Sequence, residues 1–264
     1  MALLKTTLRE LKALQQKKQR RETGLFIVEG LRLAAEAASS DFEILEVYHS
    51  AEFALQSDGK ALLHRLKKKA RSVHEAAVRD LEMISDTVTS PGILAVLRQR
   101  RCEPLQLIRK GDVQSILVGF DAVSDPGNLG SMIRTCDWFG VHGVLHSGTC
   151  VELYNPKVVR GTMGGLFHVP VAEEVDILSA LSTARTHGYT VYVTDAAGET
   201  HFDRTRYANK SVIVFGNEAW GVSDQVKALA DVRITIRRYG AAESLNVGVA
   251  CGIVLSAIHR LDVE

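Results

Sequence analysis

With 264 residues, 46% hydrophobic and 24% charged side chains, the chain can fill one large core or two modest ones and reads as an ordinary folded protein. No apolar run approaches the ~20 residues that span a bilayer, and the basic N-terminal stretch lacks an apolar core followed by a cleavage site, so neither a membrane span nor a secretory signal is expected. The net charge of +1 hides an asymmetry: residues 1–110 hold 20 Lys+Arg against 14 Asp+Glu, which leaves 12 against 17 of the totals of 32 and 31 for the remainder.

The elements follow in chain order. The first stretch is basic and amphipathic, with Glu10 and Glu22 arguing against a mitochondrial presequence. Leu25 to Glu29 reads as a strand, Gly30 opens an alanine-rich helix through Ala38, and Ile44 to Tyr48 reads as a second strand. Helical spacing covers Lys60 to Lys69 and Ala76 to Ile84, and Gly92 to Val96 is another strand. Arg98 to Gly111, polar and interrupted by Pro104, reads as a linker. A second alternation then begins. Strands are expected at Ser115–Phe120 and near Gly143–His146, Thr190–Thr194, Ser211–Phe215 and Val232–Ile236. Helices are expected at Leu129–Phe139, Ile177–His187, Asp224–Ala230 and Leu245–Leu261. Continuous apolar strands alternating with helices predict an α/β fold whose C-terminal part has a mainly parallel sheet with helices on both faces. The expected division is residues 1–105 and residues 112–264.

Positive charge concentrates at Lys17 to Arg21, Arg65 to Arg71 and Arg98 to Arg101. Any one such run is usually a solvated helix face. Three in one half suit a polyphosphate backbone, where each phosphate contact releases counterions. Arg20, Arg21, Lys67, Lys68 and Arg160 are the candidate nucleic-acid contacts. The four cysteines, at 102, 136, 150 and 251, form no CxxC pair, and the histidines lack metal-ligand spacing. A reduced, cytoplasmic setting without a metal site is expected.

Three segments carry polar residues that no fold element requires: Asp121 to Gly140, Val212 to Ser223 and Ile234 to Val254. Each lies beside the end of an apolar strand, where α/β proteins place ligands, so they predict one composite site. There is no GxGxxG and no GxxxxGK[ST], which excludes the dinucleotide and triphosphate fingerprints. The Gly216 to Gly221 loop offers backbone groups at close approach and suits a nucleoside better than a pyrophosphate. Taken singly the signals are weak: Asn128 and Ser244 both read as helix N-caps, and Arg134 as a residue of the second turn.

Together they resemble a known family. Asp125-Pro-Gly-Asn128-Leu-Gly130 with Arg134, Phe215-Gly-Asn-Glu218 with Gly221, and Glu243-Ser-Leu-Asn246-Val247 are similar to the three motifs of the SpoU/TrmH RNA ribose 2′-O-methyltransferases. Tyr154 to Lys157 and Arg160 to Gly164 are similar to the stretch between the first two motifs. Arg20 to Gly30 and Thr87 to Val96 resemble the substrate-binding domain of the ribosomal-RNA members. The resemblance implies a C-terminal domain with a deep trefoil knot, preceded by a smaller ribosomal-protein-like α/β domain. It implies bound S-adenosylmethionine and a homodimer whose subunits complete the active site. The reaction implied is methylation of a ribose 2′-OH in large-subunit ribosomal RNA; the alternatives are a tRNA methyltransferase and a non-catalytic RNA-binding protein that keeps the fold. Gly216, Gly221, Ile236 and Leu245 are then expected at the cofactor, and Asn128, Arg134, Glu218, Ser244 and Asn246 as the catalytic group, with Asn128 and Asn246 holding Arg134. The chain departs from the family's Ile-Pro-Met before the third motif, having Ile236-Arg237-Arg238, and has Thr162 where serine is frequent.

Overall fold

Apolar runs bounded by glycine or polar turns become strands, and the amphipathic stretches between them become the helices that cover them. The computed structural model describes residues 2–87, 89–108, 111 and 114–260. The sequence expectations that reach beyond these are Met1 of the first division, Val88 of the Thr87–Val96 motif, Arg109 and Lys110 of the linker, residues 112–113 and 261–264 of the second division, and the helix end at Leu261. The chain forms two compact units, Met1–Arg100 with Tyr154–Phe167, and Arg101–Leu153 with His168–Glu264.

The first unit runs α1 (Lys5–Ala13), α2 (Lys17–Thr23), β1 (Leu25–Glu29), α3 (Leu31–Ser39), β2 (Ile44–His49), α4 (Ala51–Leu55), α5 (Ser57–Lys69), β3 (Ser72–Glu75), α6 (Val78–Ile84) and β4 (Ile93–Arg98). Its sheet has the order β1-β4-β2-β3, with β4 antiparallel to both neighbours and β2 parallel to β3. Leu11, Leu14, Leu81 and Ile84 pack with Ile27, Leu94 and Val96 of the sheet. The basic, amphipathic first stretch, to which the sequence reading gave no element bounds, forms α1 and α2. The segment Tyr154–Phe167, carrying helix α9 (Pro156–Gly161, numbered after two helices of the other unit), adds aromatic rings to this unit. Tyr154 packs on Phe26 with centroids 4.6 Å apart, and Phe167 meets Phe42 edge-on at 5.1 Å. The Tyr154 hydroxyl accepts from the Arg100 N–H at 2.9 Å and donates to its carbonyl at 3.0 Å.

The second unit runs α7 (Pro104–Leu107), β5 (Ser115–Phe120), α8 (Pro126–Trp138), β6 (Gly143–Ser147), β7 (Val171–Val175), α10 (Ile177–Thr186), β8 (Thr190–Thr194), β9 (Thr200–His201), β10 (Lys210–Phe215), α11 (Asp224–Leu229), β11 (Val232–Thr235) and α12 (Val247–Arg260). Its sheet has the order β7-β6-β5-β10-β8-β11-β9, with every neighbouring pair parallel. β5 is buried along its whole length, as a strand covered on both faces must be. Leu117, Val212 and Val214 pack with Leu181, Ala184 and Val226 of α10 and α11. Leu107 and Ile108, expected in a linker, are buried in that same cluster. α8 and α12 pack on one another, burying Met132, Cys136 and Cys251.

Candidate active site

Phe120 and Phe215 end neighbouring parallel strands in register, so the loops that follow them leave one edge of the sheet side by side. The Asp121 N–H donates to the Phe215 carbonyl at 2.9 Å, and the Asp121 carboxylate accepts the Ser223 N–H at 2.8 Å. In the second loop, Asn217 and Gly221 exchange two backbone hydrogen bonds of 2.9 Å. Glycine is required at both ends of this turn: Gly221 sits at φ 74°, and a Cβ on Gly216 would lie 2.1 Å from the Gly221 carbonyl carbon. The buried Asn217 amide donates to the Ala122 carbonyl at 2.8 Å and holds that residue at φ 59°, a backbone region alanine rarely adopts.

These loops present Glu218 to the start of α8. Its carboxylate accepts from the Ser124 N–H at 3.2 Å, the Ser124 hydroxyl at 2.9 Å, the Asp125 N–H at 3.0 Å and the Asn128 amide at 3.0 Å. Burial works to raise the Glu218 pKa, but the Asn128 amide and the backbone N–H groups outweigh it and hold the group at about 2. Glu218 is therefore an anion and an acceptor across the working pH range.

The network continues into the third segment. The Asn246 amide nitrogen donates to the Asn128 amide oxygen at 2.9 Å, and the Asn246 amide oxygen accepts from the Gly248 and Val249 N–H groups at 2.9 and 3.2 Å. The donor and acceptor roles are mutually forced, because the helix N–H groups and the carboxylate fix the two ends. Two capping expectations are corrected here. Asp125, not Asn128, caps α8, accepting the Asn128 N–H at 2.7 Å with Pro126 in the first helical position. Asn246, not Ser244, caps α12. Asn128 thus lies inside the first turn, with its side chain free for Glu218 and Asn246.

The model of the SpoU rRNA Methylase family matches residues 115–256. The chain belongs to that family. A second model, the MRM3-like substrate binding domain, matches residues 5–95. The chain is 30% identical over 246 residues to the 23S rRNA (guanosine(2553)-2′-O)-methyltransferase RlmP of Bacillus subtilis, covering 92% of each. It is 26% identical to the 23S rRNA (uridine(2479)-2′-O)-methyltransferase of Streptomyces viridochromogenes, covering 92% of this chain and 85% of that one. The crystal structure of an AdoMet-bound rRNA methyltransferase from Sinorhizobium meliloti superposes with a TM-score of 0.86 at 26% identity, covering 99% of this chain and 97% of that one.

The remaining residues expected from the SpoU motifs are placed as follows. Arg134 lies on the exposed side of α8 and its side chain makes no hydrogen bond or ion pair among the described residues, so neither asparagine holds it. Six residues of α-helix turn the chain by about 240°, which separates Arg134 from the side of α8 that carries Asn128. Ser244 is exposed and without a hydrogen bond among the described residues. Ile236 is half-buried and Leu245 is 49% exposed, at the two ends of the loop that leaves β11 and returns to Asn246. From Arg237 to Leu245 no backbone N–H finds an acceptor among the described residues.

The cations expected to meet RNA all belong to the first unit, and they divide. Arg21, Lys67 and Lys68 are exposed. Arg160 is half-buried and paired with Asp86 at 2.8 Å. Arg20 is corrected: it is 2% exposed and its guanidinium donates to the Leu14 carbonyl at 2.8 Å, which makes it a structural cation closed to any phosphate. Sequence reasoning missed Asp121, Ser124 and Asn217 as supports of the site. Asn217 stood inside the Gly-Asn-Glu string, and its place between the glycines of the turn was the available signal.

Proposed function

We propose that this chain methylates a ribose 2′-hydroxyl of RNA with S-adenosylmethionine as donor, large-subunit ribosomal RNA being the substrate rather than tRNA. The observation that carries this reading is the continuous hydrogen-bonded chain Asn246–Asn128–Glu218, built from three distant segments at one sheet edge. Relatives named as 23S rRNA 2′-O-methyltransferases support the ribosomal substrate, as does the match of residues 5–95 to a substrate-binding domain. No disulfide joins the four cysteines among the described residues, which suits a reduced, cytoplasmic setting.

The donor fits the residues present. Gly216 and Gly221 hold a tight turn beside the strand ends, while the loop after β11 offers, among the described residues, a run of unpaired backbone N–H groups between the apolar Ile236 and Leu245. S-adenosylmethionine supplies a sulfonium methyl that is already activated, so the protein's task is alignment, worth about 7–11 kcal/mol of barrier, and support of a weak oxygen nucleophile. Glu218 orients Asn128 and, through it, Asn246. The Arg134 guanidinium stabilises the oxygen as negative charge develops. The hydroxyl proton then leaves to water or to an RNA phosphate.

We read the active form as a homodimer and the loop between β11 and α12 as the closing segment of a trefoil knot. Two features support the pairing. Arg134 faces away from its own Asn128, and Trp138, one helical turn further on, is 84% exposed. Pairing across this side of α8 would bring Arg134 to the partner's network. The test is calorimetric titration with S-adenosylmethionine followed by transfer of labelled methyl to ribosomal RNA and tRNA. Binding with transfer to neither pool excludes the transferase reading, and transfer to tRNA alone excludes the ribosomal substrate.

A further inference from the structure

Tyr239 is 88% exposed, the most exposed of the large apolar side chains among the described residues, in a loop that runs from β11 directly into the active-site network. Exposed aromatics occur singly on many surfaces. This one has company that points to a ligand. The Arg237 guanidinium lies over one face of the ring, 5.5 Å from its centroid. At that exposure the other face is left to solvent. Arg238 is exposed as well, and its guanidinium donates to the Ala242 carbonyl at 3.4 Å. All residues from Arg237 to Asn246 are exposed, and the segment ends at the side chain that bonds Asn128. Trp220, on the loop that carries Glu218, is 66% exposed.

We propose that Tyr239, backed by Arg237, is a stacking platform for an unpaired RNA base next to the modified ribose, with Arg237 and Arg238 neutralising the adjacent phosphates. The proposal rests on the RNA methyltransferase reading and extends it to a subsite. An aromatic ring carrying a cation on one face offers the other to a base, because every base presents a π-face, and the neighbouring charges suit a phosphate chain rather than an apolar protein surface. Stacking is tolerant of sequence, so the subsite sets the position and single-stranded state of the RNA rather than the identity of the base.

The experiment compares wild type with Tyr239→Phe, Tyr239→Ala and Arg237→Ala. RNA affinity is read without turnover, from the fluorescence of a single-stranded RNA oligonucleotide containing 2-aminopurine. S-adenosylmethionine affinity is read by calorimetry and subunit mass by sedimentation. Tyr239→Ala should weaken RNA binding about five- to a hundredfold and remove the stacking-induced quenching, with S-adenosylmethionine affinity and mass unchanged. Tyr239→Phe should retain both affinity and quenching, and Arg237→Ala should fall between. Unchanged RNA affinity in Tyr239→Ala overturns the proposal. So does loss of S-adenosylmethionine binding, which would assign the ring to the cofactor, or a halved mass, which would assign it to a subunit contact. A wild-type protein that binds and quenches the RNA but methylates none would sink the transferase reading while leaving the platform standing.

Discussion

The side-chain amide of Asn246 donates to that of Asn128 at 2.9 Å across 118 residues of sequence, and the same side chain caps α12. Its two duties can be separated. Asn246→Ala removes both, with about 1 kcal/mol lost from the cap alone. Asn246→Asp keeps the capping acceptor but sets a second carboxylate against the Asn128 oxygen. We expect both variants to lose methyl transfer and the aspartate variant to melt at the higher temperature. Equal melting temperatures would show that the cap contributes nothing.

Glu218 is held at about 2, below its ordinary value of 4.5. A carboxylate with a depressed folded-state pKa contributes stability above its unfolded pKa and loses it as pH falls through the folded one. Glu218→Gln should therefore cost on the order of 1 kcal/mol near neutrality, a figure discounted for the partial exposure of the site. That difference from wild type should shrink as pH falls from about 4.5 towards 2, as denaturant titrations at neutral and acid pH would show. A difference that grows on acidification would contradict the assigned charge.

If Arg134 serves the partner's network, two inactive variants should complement each other. Arg134→Ala and Glu218→Ala should each lower turnover about a hundredfold or more, with S-adenosylmethionine binding intact in the arginine variant. Random pairing makes half the dimers mixed, each with one intact site, so the mixture should recover about a quarter of wild-type activity. No recovery after confirmed subunit exchange would place Arg134 in its own subunit's site.

Gly216→Ala puts a methyl 2.1 Å from the Gly221 carbonyl carbon, where only backbone can yield. We expect a loss of about 1–3 kcal/mol and a fall in S-adenosylmethionine affinity, measured by melting and calorimetry on one sample. Normal affinity would mean that the turn does not shape the cofactor site.

Arg20 and the Lys67–Lys68 pair should part company. Arg20→Met leaves the Leu14 carbonyl without its buried donor and should destabilise the protein by about 2–4 kcal/mol. Lys67→Ala with Lys68→Ala should leave the melting temperature unchanged while weakening RNA binding and flattening its salt dependence. The reverse pattern would restore Arg20 to the RNA surface.

The strands were legible because β5 and β10 are unbroken apolar runs whose burial on both faces leaves no other use for them. The motif residues Asn128, Glu218 and Asn246 were legible as a group, but their pairing was not, since no local periodicity links loops about a hundred residues apart. The cap of α8 was within reach: proline at 126 signals that Asp125 begins the helix. Arg20 was misread because counting charges cannot distinguish a solvated cation from one folded back on a helix-end carbonyl. Tyr154 and Phe167 were hidden for a different reason, as aromatics in short turns carry no period to show which sheet they join.

That last feature bears on how the protein comes off the translating ribosome. Domains generally fold as they emerge, the N-terminal one first. Here the rings that close over Phe26 and Phe42 are encoded more than a hundred codons later, after β5, α8 and β6 have been synthesised. The leading half must wait with part of its apolar surface uncovered until Phe167 has cleared the exit tunnel, and an expression fragment cut in the linker would carry that bare surface permanently.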